Sequence, residues 1–296
     1  MNRIEDIRLE SLVRFPLPSL ADAQDKDGRG AVLVVAGGAR VPGAGLLTGE
    51  AALRAGAGKL QMAAIRSTAP GLGLSMPEAA VLPVAASPAG EMSATAGRTL
   101  APAAREADAV VVGPGMMDPE GAGKLARALI AAARDAAFVL DAAALTGFEL
   151  SRTATHALHS RLVVTPHAGE MAKLVDCSKD EVVADPIGAA TIASRSLQAV
   201  VVMKGAVSFI VEPGGRVWRH SDGVVGLATS GSGDVLAGVI GGLLARGAGP
   251  ETAALWGVCV HARAGVNLSR QMGPVGFLAR ELLAEIPRTL EMASGA

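Results

Sequence analysis

The chain has 296 residues, a formal net charge of −1 and 50% hydrophobic residues. That length supports a large apolar core, and the near-neutral charge gives no broad attraction to nucleic acid or to membrane surfaces. With no tyrosine, five phenylalanines and two tryptophans there is no basis for a base-stacking platform; the two cysteines, Cys177 and Cys259, make neither a disulfide framework nor a metal cluster, and they point to a reducing, cytoplasmic setting.

Residues 1–27 are polar and irregular and read as an extension with a short helix. Glu5, Asp6 and Glu10 break the basic-then-apolar order of a secretion signal, and no apolar run downstream reaches the ~18 residues of a membrane span. Residues 28–296 read as a single domain. Ala31–Ala36 is a continuous apolar run between glycines, the pattern of a buried parallel strand, and a small-residue helix over 44–57 follows. Further strands are expected at 80–84, 109–112, 137–140, 162–165 and 200–203. A hairpin is expected from 208–211 and 216–218 around Pro213-Gly214-Gly215. Helices are expected at 119–134, 168–176, 186–196, 234–246, 250–268 and 276–286. Strands alternating with helices predict a three-layer α/β/α fold, with a mostly parallel sheet covered on both faces.

Familiar nucleotide fingerprints are missing: Gly37-Gly38 does not continue as GxGxxG, and no glycine-rich loop ends in Gly-Lys-Ser/Thr. The candidate phosphate site is Thr229-Ser230-Gly231-Ser232-Gly233-Asp234, which leads into the apolar run Val235–Leu244. Small residues there can turn successive N–H groups inward at a helix N-terminus, an anion site by dipole and free donors. Asp234 reads either as a helix-start carboxylate or as a base for a substrate hydroxyl.

Other candidates stand at the carboxyl ends of expected strands, where ligands sit in an open α/β sheet. Gly113-Pro114-Gly115 is a close-approach loop or an ordinary turn. Asp141 holds a ligand or caps the next helix. In Thr165-Pro166-His167-Ala168-Gly169-Glu170, His167 and Glu170 either face substrate and a metal–phosphate group or form a cap. Lys204-Gly205 meets a phosphate or makes a turn. His156, His159, His220 and His261 show no metal-ligand pattern. Four such strand ends in succession describe a site that holds a nucleotide and a second ligand together.

The ordered motifs carry a resemblance. They are Gly37-Gly38 with Gly43-Ala44, Ala51-Ala52-Leu53-Arg54-Ala55-Gly56-Ala57-Gly58, Pro77-Glu78, Gly113-Pro114-Gly115, Asp141-Ala142, Thr165-Pro166-His167-x-Gly169-Glu170, Lys204-Gly205 and Gly226 through Gly238. Together, over roughly residues 28–286, they resemble the ADP/ATP-dependent NAD(P)H-hydrate dehydratases, a repair branch of the ribokinase-like superfamily. Many bacterial relatives carry an epimerase domain ahead of the dehydratase, so this chain is expected to be the stand-alone form with a separate NAD(P)H-hydrate epimerase in the same pathway.

The resemblance implies phosphorylation of the ring hydroxyl of hydrated NADH or NADPH by ADP or ATP with Mg²⁺, then loss of phosphate. It makes Asp234 the base. It implies that the N–H groups of Gly231, Ser232 and Gly233 hold the phosphoryl, and that Lys204, Gly205, Ala206, Val207 and Ser208 line the nucleotide side. Ala44, Gly115 and His167 would touch the hydrate, and Glu170 would organise Mg²⁺ through water. Relatives are often tetramers, so a homotetramer is implied, and the Ala/Gly-rich helices suit close packing between subunits. The chain departs from the family pattern at Met116-Met117, Ala143, Ala168, Val224-Val225 and Ser230. Those departures keep two other functions in view: a ribokinase-like kinase of a hydroxymethylpyrimidine-, hydroxyethylthiazole- or sugar-like alcohol, and a catalytically weak nucleotide-binding protein.

Overall fold

A computed structural model describes residues 4–19, 25–148, 158 and 160–294. Its strands are β1 (Ile4–Asp6), β2 (Ala31–Val35), β3 (Lys59–Ile65), β4 (Ala79–Val84), β5 (Ala109–Val112), β6 (Ala137–Leu140), β7 (Leu162–Val164), β8 (Val200–Met203), β9 (Ser208–Val211) and β10 (Val217–His220). They form one sheet in the order β1-β10-β9-β8-β7-β6-β5-β2-β3-β4. Every pairing is parallel except β9–β10, which is the expected hairpin, and β8–β9, which is also antiparallel.

The helices are α1 (Gly43–Arg54), α2 (Ala69–Ser75), α3 (Ala96–Glu106), α4 (Pro119–Ala132), α5 (Ala142–Thr146), α6 (Ala168–Leu174), α7 (Lys179–Ala184), α8 (Pro186–Leu197), α9 (Ser232–Ala245), α10 (Pro250–Met272) and α11 (Ala279–Ser294). Successive strand residues point to opposite faces, so the sheet builds two cores. Val32, Val34, Val111, Val139 and Val202 pack on the side of α1, α2, α9, α10 and α11. Leu33, Val35, Val110, Phe138 and Val201 pack on the side of α3 to α8. This is the expected three-layer α/β/α arrangement, and burial on both faces is why the central strands read as unbroken apolar runs.

Several elements differ from expectation. Ile4–Asp6, in the stretch read as an irregular extension, pairs with β10 as an edge strand; Ile7 and Leu12 beyond it are buried. β3 was not expected, because Lys59 and Gln61 interrupt its apolar pattern. Pro70, Gly71, Gly73 and Pro102 mask α2 and α3, and α5 and α7 are short. The first helix stops at Arg54 rather than 57, and α10 and α11 run past 268 and 286, the latter through Pro287.

One contact bears directly on the site. A Cβ on Gly238 would lie 2.3 Å from the Thr48 carbonyl oxygen, and one on Gly242 would lie 2.3 Å from that of Ala52. These glycines, four apart on one face of α9, let its backbone lie against α1. The small residues expected to serve contacts between subunits are thus used inside the chain at these positions.

Candidate active site

Strands β5, β6, β7 and β8 are consecutive parallel neighbours, so their carboxyl ends bring Gly113, Asp141, Thr165 and Lys204 to one edge. Asp141 is buried and its side chain makes no cap to α5. Its Oδ1 instead accepts from Thr165 Oγ1 at 2.7 Å and from Lys204 Nζ at 2.8 Å. Glu170 Oε2 lies 3.8 Å from the same ammonium, and the Lys204 N–H donates to Pro166 O at 2.8 Å. Burial alone would lower the Lys204 pKa. The charges of Asp141 and Glu170, the Asp141 hydrogen bond and the charge of Asp234 reverse the sign and raise it. The lysine is a fixed positive point at the strand edge.

The N-terminus of α9 faces this point. A Cβ on Gly233 would lie 3.4 Å from Lys204 Nζ and 3.9 Å from Asp141 Oδ2. Gly231 has φ +87°, and a Cβ there would lie 2.6 Å from Leu47 Cδ1, so glycine is required by conformation and by space. Ser232 N–H donates to Thr229 O at 3.3 Å and Val235 N–H to Gly231 O at 3.1 Å. The N–H groups of Gly231, Gly233 and Asp234 donate to none of the described residues. These are the open donors of a helix start. Of the three expected donors, Ser232 is therefore committed to the turn, and Asp234 supplies a further one.

Asp234 is half-buried in the first turn of α9. Burial pushes its carboxyl up to about 7, the Asp141 charge adds to the rise, and Lys204 opposes it. A carboxyl that titrates near neutrality beside open anion donors can take and return a proton.

A second wall adjoins the cradle. The position of a Cβ on Gly115 lies 2.3 Å from Ala44 Cβ, so the β5–α4 loop rests on the start of α1. Leu47, one turn along α1, lies under Gly231. The site thus runs without a break from Gly115 through Ala44 and Leu47 to Gly231, Asp234, Asp141, Lys204 and Glu170.

His167 and Glu170 form a reciprocal cap on α6. His167 Nδ1 accepts from the N–H groups of Gly169 and Glu170 at 3.0 and 3.2 Å, and Glu170 Oε2 accepts the His167 N–H at 2.8 Å. The cap aims Glu170 at Lys204 and leaves the His167 side chain 59% exposed at the rim. Gly205, Ala206 and Val207 make the exposed turn after Lys204. The loop from Ser221 to Ser230 leads from β10 into the cradle, and the Ala206 carbonyl faces it at Gly223.

Two site neighbours carried no sequence signal. Glu91 is 4% exposed; its Oε2 accepts the Met117 N–H at 3.0 Å, and its carboxylate fills the space beside Gly38. It ties the Gly37-Gly38 loop to the Gly115–Met117 loop. His261, on α10, lies behind Ser232, with Nε2 2.9 Å from Ser232 Oγ and 3.0 Å from Ser232 O. Burial, its largest influence, drops its pKa to about 4. His220 is buried against Ile7 O, while His156 and His159 lie outside the described residues.

Among the described residues no group of three His, Cys, Asp or Glu could hold a metal ion. Glu170 is a carboxylate beside Lys204 at the edge of the anion cradle, and such a donor fits a magnesium ion carried mainly by phosphates and water. Of the departures from the family pattern, Met116 and Ala143 are buried in the second core, and Met117, Val225 and Ser230 are exposed.

The family profile for NAD(P)H-hydrate dehydratase matches residues 32–288. The chain belongs to the NAD(P)H-hydrate dehydratase family. It is 48% identical to the ADP-dependent (S)-NAD(P)H-hydrate dehydratase of Xanthomonas campestris pv. campestris, over 98% of this chain and 97% of that one. It is 35% identical to the bifunctional NAD(P)H-hydrate repair enzyme of Moorella thermoacetica, over 94% of this chain but 52% of the relative, so it spans about half of that relative's length. The ADP/ATP-dependent NAD(P)H-hydrate dehydratase of Bacillus subtilis, co-crystallized with ATP/Mg²⁺, superposes with a TM-score of 0.83 at 27% identity, over 98% of this chain and 99% of that one. The fold is accordingly ribokinase-like. Among the described residues of this dehydratase-family chain, no helix is long and apolar enough to cross a membrane.

Proposed function

We propose that this chain dehydrates the 6-hydroxy hydrates of NADH and NADPH and so restores the reduced cofactors, with ADP as phosphoryl donor and ATP as the alternative. The observation that carries this reading is Asp234, a carboxyl held near pKa 7 in the turn that presents open N–H donors. Asp234 takes the proton of the ring hydroxyl as that oxygen attacks the terminal phosphoryl group and AMP leaves. The open N–H groups of Gly231, Gly233 and Asp234 bear the charge on the transferred group, helped by the dipole of α9. Phosphate then leaves the ring carbon with its bonding electrons, pushed out by the ring nitrogen lone pair, the adjacent ring carbon gives up a proton to solvent, and the carbon–carbon double bond re-forms.

Lys204 through Ser208 line the nucleotide side, with Lys204 held charged by Asp141. Ala44, Gly115 and His167 contact the hydrate along the second wall. Magnesium, when bound, neutralises phosphate charge; Glu170 would hold it through water. The identity to the Xanthomonas relative, named for ADP, favours ADP as donor. A separate epimerase, a cytoplasmic location and a homotetramer complete the proposal; the two free cysteines agree with the location.

The test mixes purified protein, hydrated NADH, Mg²⁺ and either nucleotide, and follows the reduced-nicotinamide absorbance and phosphate release. Return of absorbance with phosphate released in step supports the reading and names the donor. Nucleotide binding without turnover, or a stable phosphorylated alcohol, overturns it.

A further inference from the structure

His261 is a residue that the proposed chemistry does not use. It projects from α10 against the opening turn of α9, and its Nε2 meets both oxygens of Ser232, the carbonyl at 3.0 Å and Oγ at 2.9 Å. A carbonyl oxygen only accepts hydrogen bonds, so Nε2 carries the proton and the imidazole is the Nε2–H tautomer. Ser232 is buried and its hydroxyl is turned to His261. The side chain of the cradle's central residue is thereby kept on the α10 side.

Ser232 lies between the two glycines of the cradle. The carbonyl that His261 grips belongs to the Ser232–Gly233 peptide, whose other end is the open Gly233 N–H. A peptide unit is planar, so fixing its oxygen fixes the direction of that N–H. The next residue is Asp234. Ser232 opens α9, so the first helical turn and His261 together hold this peptide, His261 from the α10 side. Nothing else among the described residues bonds the Ser232 side chain.

We propose that His261 is the positioning residue of the phosphoryl cradle, clamping the Ser232–Gly233 peptide so that the Gly233 N–H and the Asp234 carboxylate face the reacting group. This rests on the function proposed above. His261 touches neither substrate nor nucleotide; it acts through Ser232.

The test compares wild type with His261→Leu, His261→Asn and His261→Gln. Glutamine places an amide donor about as far out as Nε2, whereas asparagine is too short and leucine has no donor. Misplacing a reacting group by a fraction of an ångström to 1 Å costs on the order of 10- to 100-fold. For hydrate dehydration with ADP and Mg²⁺, His261→Leu and His261→Asn are expected to lose about tenfold in kcat or more, with the hydrate KM nearly unchanged. His261→Gln should recover to within about threefold of wild type. A residue that only fills space would instead let leucine outperform glutamine. If leucine does not fold, asparagine carries the same expectation. Folded leucine or asparagine variants with wild-type kcat overturn the proposal, as does a glutamine variant that falls as far as they do. If wild type itself does not dehydrate the hydrate, the functional reading fails, and ADP affinity by calorimetry decides the clamp alone. Weaker ADP binding in the leucine and asparagine variants, restored by glutamine, supports it; equal affinity in all four proteins overturns it.

Discussion

Replacing Asp234 by asparagine should raise stability while it removes activity, and pH separates the two effects. The carboxyl titrates at about 7 in the fold against an ordinary 3.8, chiefly because burial disfavours its charge. Below 3.8 both folded and unfolded chains carry the proton and the group is neutral towards folding. Between 3.8 and 7 the unfolded chain ionises first, so wild type loses stability as pH rises, at about 1.4 kcal/mol per pH unit. Above 7 the loss levels off, with a ceiling of about 4 kcal/mol. Asparagine has no such titration. Asp234→Asn should therefore gain more stability over wild type at pH 8 than at pH 5, by roughly 2–3 kcal/mol. Comparing the two proteins at each pH cancels the titrating groups that do not interact with Asp234. Urea unfolding of the ligand-free proteins at pH 5 and pH 8 gives the four values needed. In the repair assay the same variant should lose about 10²–10⁴ in rate while it still binds ADP. An equal gain at both pH values would refute the burial argument, and a wild-type rate would refute the role of the base.

In wild type, kcat/KM should climb with pH as Asp234 ionises, with its midpoint near 7. Asp141→Asn removes a charge that raises Asp234 and leaves Lys204, which lowers it; the midpoint should move to lower pH, and a midpoint that stays or rises refutes the coupling. Gly233→Val should fold, because Gly233 sits within α9 with 3.4 Å from its Cβ position to Lys204 Nζ. Its methyls fill the cradle, however, so calorimetry should show ADP affinity down about tenfold or more, roughly the loss of a charge-assisted hydrogen bond. Gly238→Ala drives a methyl to 2.3 Å from the Thr48 carbonyl and should cost about 1–3 kcal/mol by urea unfolding; an unchanged midpoint means the helices part freely.

The central strands were legible because burial on both faces leaves a run such as Val110–Val112 no polar residue. β1 was not legible, since a three-residue edge strand with two acids carries no such pattern. Pro102 in α3 and Pro287 in α11 are tolerated by packing that overrides local preference. The site's outline followed from topology: once β5 to β8 are parallel neighbours, Gly113, Asp141, Thr165 and Lys204 must share an edge. The Asp141–Lys204 pair joins residues 63 apart in sequence, and no local pattern announces it. Glu91 and His261 were missed for the same reason, each a lone polar residue whose partners come from distant segments. Of the two cradle glycines, substitution strains only Gly231, with φ +87°, one residue outside the helix.

The glycine contact between α1 and α9 has a mechanical consequence. α1 carries Ala44, the hydrate contact of the proposed function, and α9 carries Asp234, its base. Joined backbone to backbone through Gly238 and Gly242, the two helices form one rigid anvil, and the gap between acceptor and base is set when the chain folds. On the proposed function, the segments beside the nucleotide that lie outside this anvil are the Gly205–Val207 turn and the Ser221–Ser230 loop. Donor choice can drift through changes in those two segments without altering the distance across which the proton moves.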